Sequence, residues 1–262
     1  MKSYVLEAVM RYLCIIQARM SSRRLPGKVL MPLGNKKVLN YVYDRCNFSK
    51  KISKVIIATS IDETDDDIEL FCNENLIECF RGSLNDVLSR YYHAAVRYNA
   101  SNIVRITADC PLIDPYVIDQ VIIGFEEGNY DCFSLSGGFP DGLDCQVFSF
   151  SALKKAFKEA VIKSDREHVG PYIERNKQLF SVGSVELFHG LEHYRWTLDC
   201  SEDYQLITQL VDGIEKIGKD LTTDNILSFL EMNTHLMDLN KGIERNEGYR
   251  ISLEEDKNNS VK

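Results

Sequence analysis

Short apolar runs alternate along the chain with segments whose apolar residues recur at the spacing of a helix. The runs predict buried strands, and the helical spacing predicts amphipathic helices that cover them. The predicted strands are residues 12–16, 54–60, 76–80, 103–107, 130–135, 180–187 and 194–199. The predicted helices are residues 37–46, 86–98, 151–163, 203–217 and 223–236. This alternation predicts an α/β fold, as a single Rossmann-like three-layer α/β/α domain with a mostly parallel central sheet.

A polar, basic loop follows the first predicted strand. It contains Arg19, Ser21, Ser22, Arg24, Pro26, Gly27 and Lys28. In α/β proteins, ligands bind beyond the carboxyl ends of the strands. Guanidinium and ammonium groups suit phosphate oxygens, and serine hydroxyls and loop amides add neutral donors. The loop therefore predicts a binding site for an anion such as a phosphate.

The charge distribution sets this loop apart from the rest of the chain. The protein has a formal net charge of −8 and a sequence pI near 5.3, yet residues 8–43 contain no Asp or Glu. A positive segment in an acidic protein favours a focused phosphate site over a nucleic-acid surface, so we expect no nucleic-acid partner. A solvated basic loop without a ligand is the alternative.

Two carboxylates come directly after predicted strands. Asp109 follows the strand at 103–107, and Asp199 ends the strand at 194–199. Asp is a hard ligand of the kind that Mg²⁺ prefers, and Mg²⁺ usually accompanies nucleotide phosphates. A helix cap is the alternative role, and Asp114 fits it better than Asp109 because a proline follows Asp114. The pattern therefore favours Asp109 as a metal ligand and Asp114 as a cap.

Three segments carry a family resemblance. IIQARMSSRRLPGKVL, RITADCPLIDP and RWTLDCSEDY resemble the signatures of the cytidylyltransferases that activate sugar acids. These include the 3-deoxy-manno-octulosonate and acylneuraminate cytidylyltransferases, and the SpsF-type branch in particular. The resemblance covers residues 12–240. It implies a nucleotide-diphospho-sugar transferase fold with a small dimerisation flap that contains residues 180–187, and a homodimer.

The resemblance also assigns roles at the nucleotide site. The triphosphate of CTP would be held by Arg19, Arg24 and Lys28, with Ser21 and Ser22 as lesser candidates. Mg²⁺ would be bound by Asp109 and Asp199, so that the catalytic set would be Arg19, Lys28, Asp109 and Asp199. The cytosine base would be read near the turn and helix start that contain Arg81, Ser83 and Asp86.

The acceptor site is assigned by resemblance to two further segments. The first is SGGFPDGLDCQVFSF, which offers Asp141, Asp144 and Gln146. An ordinary hairpin loop with turn-forming Asp and Gly is the alternative for that segment. The second is REHVGPY, which offers Arg166 and His168. Arg166 suits the carboxylate of a sugar acid, His168 is the leading candidate for a general base, and Arg195 could touch phosphate or acceptor.

These residues predict a CTP-dependent cytidylyltransferase. It would transfer CMP to a 3-deoxy or nonulosonic sugar acid and release pyrophosphate, in the synthesis of a surface polysaccharide or glycan. One alternative is a nucleotidyltransferase whose acceptor is a phosphorylated small molecule, which would give a CDP-linked product. Another is a non-catalytic nucleotide-binding protein of the same fold. Neither a P-loop motif nor a dinucleotide-binding fingerprint occurs in the sequence.

The remaining features concern organisation and environment. Residues 1–9 precede the family pattern as an extension, residues 10–240 form the catalytic domain, and residues 241–262 are expected to be a polar, mobile tail. Eight cysteines are scattered without a CxxC motif, which favours reduced structural thiols. No apolar stretch is long enough for a membrane span, and no secretory signal pattern begins the chain. A cytoplasmic protein without a membrane partner is expected.

Overall fold

The computed structural model describes residues 10–259. Within that range, the strands are β1 (Met10–Gln17), β2 (Pro32–Leu33), β3 (Lys36–Lys37), β4 (Lys54–Ser60), β5 (Cys79–Gly82), β6 (Ala100–Thr107), β7 (Cys132–Ser136), β8 (Gln146–Ser149) and β9 (Val182–Glu186). The α-helices are α1 (Val38–Asn47), α2 (Asp66–Glu74), α3 (Val87–Arg97), α4 (Pro115–Gly128), α5 (Phe150–Glu159), α6 (Lys163–His168), α7 (Pro171–Arg175), α8 (Ser201–Lys216), α9 (Thr223–Met232) and α10 (Glu247–Asn259).

Seven of these strands form the central sheet, in the order β5-β4-β1-β6-β8-β7-β9. β8 is antiparallel to both of its neighbours, and the other neighbouring pairs are parallel. The last residue of β1, Gln17, lies opposite Ala58 of β4 and Thr107 of β6. The carboxyl ends of these three strands therefore meet at one edge of the sheet. The predicted mostly parallel α/β sheet is confirmed.

Alternate residues of the strands pack into separate cores on the two faces of the sheet. Leu13 and Ile15 of β1 pack with α3 and α5, whereas Cys14 and Ile16 pack with α1, α4 and α8. All four side chains are fully buried, and each large apolar side chain buried in this way contributes about 1.5–3 kcal/mol. The apolar strand β1 therefore lies in the middle of three layers, as the sequence predicts.

The strand predicted at residues 76–80 is displaced. Leu76 has a φ of 55° and is 93% exposed, and β5 begins only at Cys79. Leu76 follows the end of α2, where the amide of Ile77 donates to the carbonyl of Cys72. The turn that ends a helix requires a left-handed residue at this place, and that requirement overrides the apolar pattern.

The strand predicted at residues 194–199 does not join the sheet. The segment is extended and makes one isolated bridge, between Arg195 and Asp141. The alternation of apolar and polar residues in this segment nevertheless corresponds to burial, because the apolar Trp196 and Leu198 are fully buried. The amide of Leu198 donates to the carbonyl of Asp109 over 2.7 Å. The prediction of a strand is therefore wrong, although the segment is held beside the end of β6.

Two other predicted elements differ in detail. The helix predicted at 151–163 ends at Glu159, and α6 starts separately at Lys163. The strand predicted at 180–187, which the resemblance places in a dimerisation flap, is β9. It pairs with β7 at one edge of the central sheet.

The structure also corrects the prediction of a mobile tail after residue 240. Instead of a mobile tail, it contains α10, which packs against α6. The ordering comes from polar contacts that the apolar pattern does not register, such as the 3.0 Å hydrogen bond between Ser252 Oγ and His168 Nε2. The predicted extension at 1–9 lies outside the described residues.

Two further features of the described chain are its cysteines and the length of its helices. All eight cysteines are free thiols, and six of them are buried. Among residues 10–259, no helix is long and apolar enough to cross a membrane.

Candidate active site

A cleft of about 580 Å³ lies at the carboxyl edge of the sheet. Its walls come from the ends of β1 and β6, the loop after β1, the start of α3, and helices α6 and α10. The sequence places charged residues at the ends of these strands, and the parallel sheet brings them together. The cleft is therefore the candidate active site.

The loop after β1 is fixed by backbone contacts. Met20 accepts hydrogen bonds at its carbonyl from the amides of Ser22 and Gly27, each 2.9 Å long. Gly27 has a φ of 73°, a left-handed conformation that glycine adopts without strain. Asp65, which is fully buried, accepts from the amide of Met20 over 2.7 Å and from the hydroxyl of Ser60 over 2.5 Å. These bonds hold the loop in a closed shape at the mouth of the cleft.

Lys28 links the two carboxylates that the sequence predicts to act together. Its Nζ lies 2.8 Å from Asp109 Oδ2, 2.8 Å from Asp199 Oδ1 and 2.7 Å from the carbonyl oxygen of Leu198. An ammonium group has three N–H donors, and here each has an acceptor. Lys28 is only 7% exposed. It is thus a buried cation whose Nζ atom bridges the carboxylates of Asp109 and Asp199.

The ionisation of this cluster follows from the bridge. Burial by itself would lower the pKa of Lys28, but Asp109 and Asp199 raise that pKa above its usual value. Burial opposes the ionisation of Asp109, yet Lys28 lowers the pKa of this carboxyl to about 2. At neutral pH the ammonium and the Asp109 carboxylate are therefore both charged.

The donor set at the bridge suits a divalent cation. Lys28 Nζ occupies the point that lies 2.8 Å from both Asp109 Oδ2 and Asp199 Oδ1. Asp109 Oδ1 is outside this contact, and its hydrogen-bond partner among the described residues is the thiol of Cys110, at 3.7 Å. Among the described residues, no group of three or more His, Cys, Asp or Glu forms a metal site. Mg²⁺ characteristically uses one or two carboxylates and completes its shell with water and substrate phosphates. The pair fits such an ion.

Two arginines surround Asp199. Arg24 lies 2.8 Å from Asp199 Oδ2, and Arg195 reaches the same oxygen over 2.9 Å. Arg195 also binds Asp141 over 2.7 Å and Asp203 over 2.9 Å. Burial opposes the charge of Arg195, but Asp203 raises its pKa. Arg195 is committed to holding three carboxylates in place, and its position is structural.

Asp203 supports the start of α8. Its Oδ2 accepts from the amides of Asp199 and Cys200 over 2.9 and 3.2 Å. Burial would raise its pKa, but Arg195 and Asn240 lower it. The segment that carries Asp199 is therefore held in place by this capping interaction.

The acceptor segment contributes a second acidic pair. Asp141 and Asp144 line the cleft beside Arg245, whose nitrogens lie 3.7 and 3.5 Å from the two carboxylates. Burial and the neighbouring Asp144 raise the pKa of Asp141 to about 6, although Arg195 and Arg245 act in the opposite direction. Asp141 is therefore a carboxyl that titrates close to neutral pH.

His168 lines the cleft from α6. Burial lowers the pKa of its imidazole, Glu167 opposes that effect, and Arg105 and Arg19 add to it. The ring is therefore neutral at pH 7, and a neutral imidazole is able to accept a proton.

The structure brings together most of the residues that the sequence singles out. The cleft is lined by Arg19, Ser21, Ser22, Arg24, Lys28, Asp109, Asp141, Asp144, His168 and Asp199. The predicted residues that do not line it are Arg81, Ser83, Asp86, Gln146, Arg166 and Arg195.

The residues predicted to read the base after β5 do not line the cleft. Arg81 pairs with Asp66 and Glu69 over 2.6 and 2.7 Å, on the far side of the turn. Ser83 accepts from the amide of Asp86, and Asp86 caps α3. These side chains are used in building the turn, and its neighbours Leu84 and Asn85 face the cleft instead.

Two predicted acceptor residues also have other partners. Arg166 forms an ion pair with Asp86 and donates to the carbonyl of Phe157 over 2.6 Å. Gln146 donates to Glu174 over 2.6 Å and accepts from Arg105 over 3.0 Å. Arg166 is therefore a link between α5 and α3, and Gln146 reaches the cleft only through Arg105.

Three polar side chains that the sequence pattern did not single out also line the cleft. Oε1 of Gln17 and the Nε atoms of Arg90 and Arg105 are buried without a hydrogen-bond partner among the described residues. A signal was present, because Arg105 follows Ile103 on the side of β6 that faces α3, and Arg90 lies among the inward-facing residues of α3. A charged residue at an apolar position of the pattern marks a place where something polar must bind.

The comparison with known sequences decides the family. A model of the cytidylyltransferase family matches residues 13–245. The chain belongs to the cytidylyltransferase family. The predicted nucleotidyltransferase class is thereby confirmed.

Individual cytidylyltransferase relatives match most of the chain. The spore coat polysaccharide biosynthesis protein SpsF of Bacillus subtilis is 34% identical over 231 residues, which are 84% of this chain and 94% of that protein. An uncharacterized protein of Methanocaldococcus jannaschii is 38% identical over 243 residues, 92% of this chain and 98% of that protein. The structure of a cytidylyltransferase from Leptospira borgpetersenii serovar Hardjo-bovis is 31% identical and covers 90% of this chain and 100% of that chain, with a TM-score of 0.82.

The cytidylyltransferase match has a defined end within this chain. It stops at residue 245, before α10 begins at Glu247. The cleft nevertheless includes residues of α10, among them Tyr249 and Ser252. One wall of the cleft in this cytidylyltransferase is therefore built by a segment that follows the matched residues.

Proposed function

We propose that the protein is a CTP-dependent cytidylyltransferase that transfers CMP to a sugar acid with release of pyrophosphate, in the synthesis of a surface polysaccharide or glycan. The observation that carries the proposal is the Lys28 bridge between Asp109 and Asp199, beneath a loop that presents Arg19 and Arg24. Phosphoryl transfer needs little covalent work from a protein, and depends on positioning and charge neutralisation. The cleft supplies groups for both.

In the proposed reaction, Arg19 and Arg24 hold the β- and γ-phosphates of CTP. Lys28, whose three N–H donors bind Asp109, Asp199 and the carbonyl of Leu198, adds positive charge beside them. A hydroxyl oxygen of the acceptor attacks the α-phosphorus in line. The bond from that phosphorus to the oxygen of the β-phosphate breaks, and pyrophosphate leaves with the bonding electrons. The proton of the hydroxyl passes to a base, for which the neutral imidazole of His168 is the candidate in the cleft.

The carboxylates Asp109 and Asp199 would hold Mg²⁺. When bound, the ion would neutralise charge on the phosphates. Lys28 keeps Asp109 ionised and holds the carboxylates of Asp109 and Asp199 beside one another.

The chemistry of the acceptor is supported by the arginines that line the cleft. The Nε atoms of Arg90 and Arg105 have no partner among the described residues. A guanidinium group pairs with a carboxylate or a phosphate, so the acceptor is an anion. The family relative SpsF is a spore coat polysaccharide biosynthesis protein, which supports a sugar acid. A phosphorylated acceptor is the second candidate, because the same arginines would suit its phosphate.

The test is pyrophosphate release. CTP, UTP, ATP and GTP are each supplied with Mg²⁺ and with a panel of 3-deoxy sugar acids, nonulosonic acids and phosphorylated small molecules. We expect release with CTP and one sugar acid. Release only with a phosphorylated acceptor would move the protein to the second candidate function. Absence of release with every pair would contradict both and leave a non-catalytic nucleotide-binding protein.

Matched variants separate the site from the fold. Asp109→Asn should abolish release, whereas Asp44→Asn, which removes an exposed carboxylate paired with Lys36, should leave it unchanged. Equal activity of the two variants would contradict the role of Asp109. The homodimer and the cytoplasmic location stay predictions, and the molar mass in solution tests the former.

A further inference from the structure

Helix α10 lies across the phosphate side of the cleft and brings carboxylates to its cations. Glu247 Oε2 lies 2.6 Å from Arg24 Nη1. At the other end of the helix, Glu255 lies 2.6 Å from Lys163 and 4.0 Å from Arg23. The loop that is proposed to bind phosphate is therefore already partly neutralised by the protein's own carboxylates.

Arg24 shows this neutralisation most clearly. Its guanidinium binds Asp199 on one side and Glu247 on the other, over 2.8 and 2.6 Å. Glu247 accepts a hydrogen bond from Nη1 of Arg24, a charge-assisted contact that a phosphate oxygen would also make. A nucleotide phosphate and Glu247 are both anions, so they compete for Arg24.

The contacts that hold α10 against the domain contribute little free energy. No residue of α10 belongs to either hydrophobic core or to the apolar side chains packed against them. Its contacts with α6 include the ion pair of Glu255 with Lys163, the hydrogen bond of Ser252 to His168 over 3.0 Å, and the ring contact of Tyr249 with His168. Partly exposed ion pairs contribute little, and elements with few buried apolar contacts open at a lower free energy than the core. We therefore expect α10 to open at a lower free energy than the rest of the domain.

We propose that α10 is an acidic lid. Glu247 occupies, at Arg24, the place of a nucleotide phosphate, and the lid must be displaced before the triphosphate binds. The inference rests on the proposed function, in which Arg24 binds CTP. It gives the segment beyond the family match a role, which is to set the apparent affinity for the nucleotide.

The test compares two substitutions on the same helix. Glu247→Gln removes the carboxylate that faces Arg24. Glu254→Gln removes a carboxylate that pairs within α10 with Arg250, over 2.9 Å, and is more than half exposed. The dissociation constant of CTP is measured by calorimetry with Mg²⁺ and without acceptor. We expect E247Q to bind CTP about threefold more tightly than the wild-type protein, and E254Q to match the wild type.

The outcomes separate the lid from the proposed function. Equal or weaker binding of CTP by E247Q would overturn the lid while leaving the cytidylyltransferase proposal intact. No binding of CTP by the wild-type protein would overturn both. Hydrogen exchange gives a second readout, because displacement predicts faster exchange of the α10 amides when CTP is bound. Slower exchange of these amides would mean that the helix closes on the nucleotide. It would contradict the competition of Glu247 with a nucleotide phosphate for Arg24.

Discussion

Removal of the ammonium group of Lys28 gives the sharpest test of its contacts with Asp109 and Asp199. Lys28→Met keeps the unbranched side chain up to its fourth atom and deletes the ammonium group that contacts Asp109 and Asp199. In the variant, two carboxylates face one another with their common cation gone. We expect a large loss of stability, because a buried charge left without its partner is costly.

The magnitude follows from the pKa of Asp109. That pKa is about 2, against an ordinary value of 3.8. At about 1.4 kcal/mol per pKa unit, the shift corresponds to about 2.5 kcal/mol of stability at pH 7. The loss in Lys28→Met should exceed this figure, since burial of Asp109 is then unopposed, and about 3–5 kcal/mol is the range for breaking a buried pair.

The sign of the pH dependence is fixed by the same shift. A carboxyl whose folded pKa lies below its unfolded pKa stabilises the folded state at pH values above the unfolded pKa. This contribution disappears as the pH falls from about 4 towards about 2. Burial is unopposed in Lys28→Met, so Asp109 takes up a proton at a higher pH in the variant than in the wild-type protein. The difference in unfolding free energy between the two proteins should therefore narrow as the pH falls, beginning above about pH 4 and ending near about pH 2.

Urea denaturation measures these differences, with Lys36→Met as the control. Lys36 pairs with Asp44 over 2.6 Å, but its side chain is 48% exposed, so its removal should cost less than about 1 kcal/mol. If Lys28→Met does not fold, Asp109→Asn in the same chain should restore folding by removing the unpaired carboxylate. Equal losses in the two lysine variants, or no recovery in the double variant, would refute the reasoning.

Three further outcomes are expected. Arg81→Ala should leave the KM for CTP within about twofold of the wild-type value in initial-rate assays, because Arg81 pairs with Asp66 and Glu69 outside the cleft; a larger rise would restore the base-reading role. Asp141→Asn should become more stable relative to the wild-type protein by up to about 3 kcal/mol as the pH rises from 4 to 6, because a pKa raised to about 6 makes ionisation of Asp141 costly in the folded state; urea melts across that range with parallel curves would contradict it. Leu76→Gly should raise the free energy of unfolding by about 0.5–1 kcal/mol, because a left-handed, exposed position suits glycine; a loss of stability in the thermal melt would mean that Leu76 is not strained.

The sequence by itself determined the features that depend on neighbouring residues. The apolar run Lys54–Ser60 has the same bounds as β4, and Asp114 caps α4 with a proline behind it, as the local pattern predicts. The loop after β1 and Asp109 were found because each directly follows a strand. Parallel strands end at one edge of a sheet, so a local pattern was enough to place Lys28 and Asp109 near each other.

Only the tertiary structure decided which charged residues face the cleft. Arg81 and Arg166 carry the expected chemistry, but carboxylates from other elements engage them away from the cleft, and such pairing leaves no trace in local spacing. In the sequence Arg105 is one polar residue within a strand. The structure shows that its buried Nε atom has no hydrogen-bond partner within residues 10–259. The lid formed by α10 was invisible for the same reason. Its apolar pattern is weak, and ion pairs to residues far away in sequence hold it in place, so the three-dimensional arrangement alone reveals it.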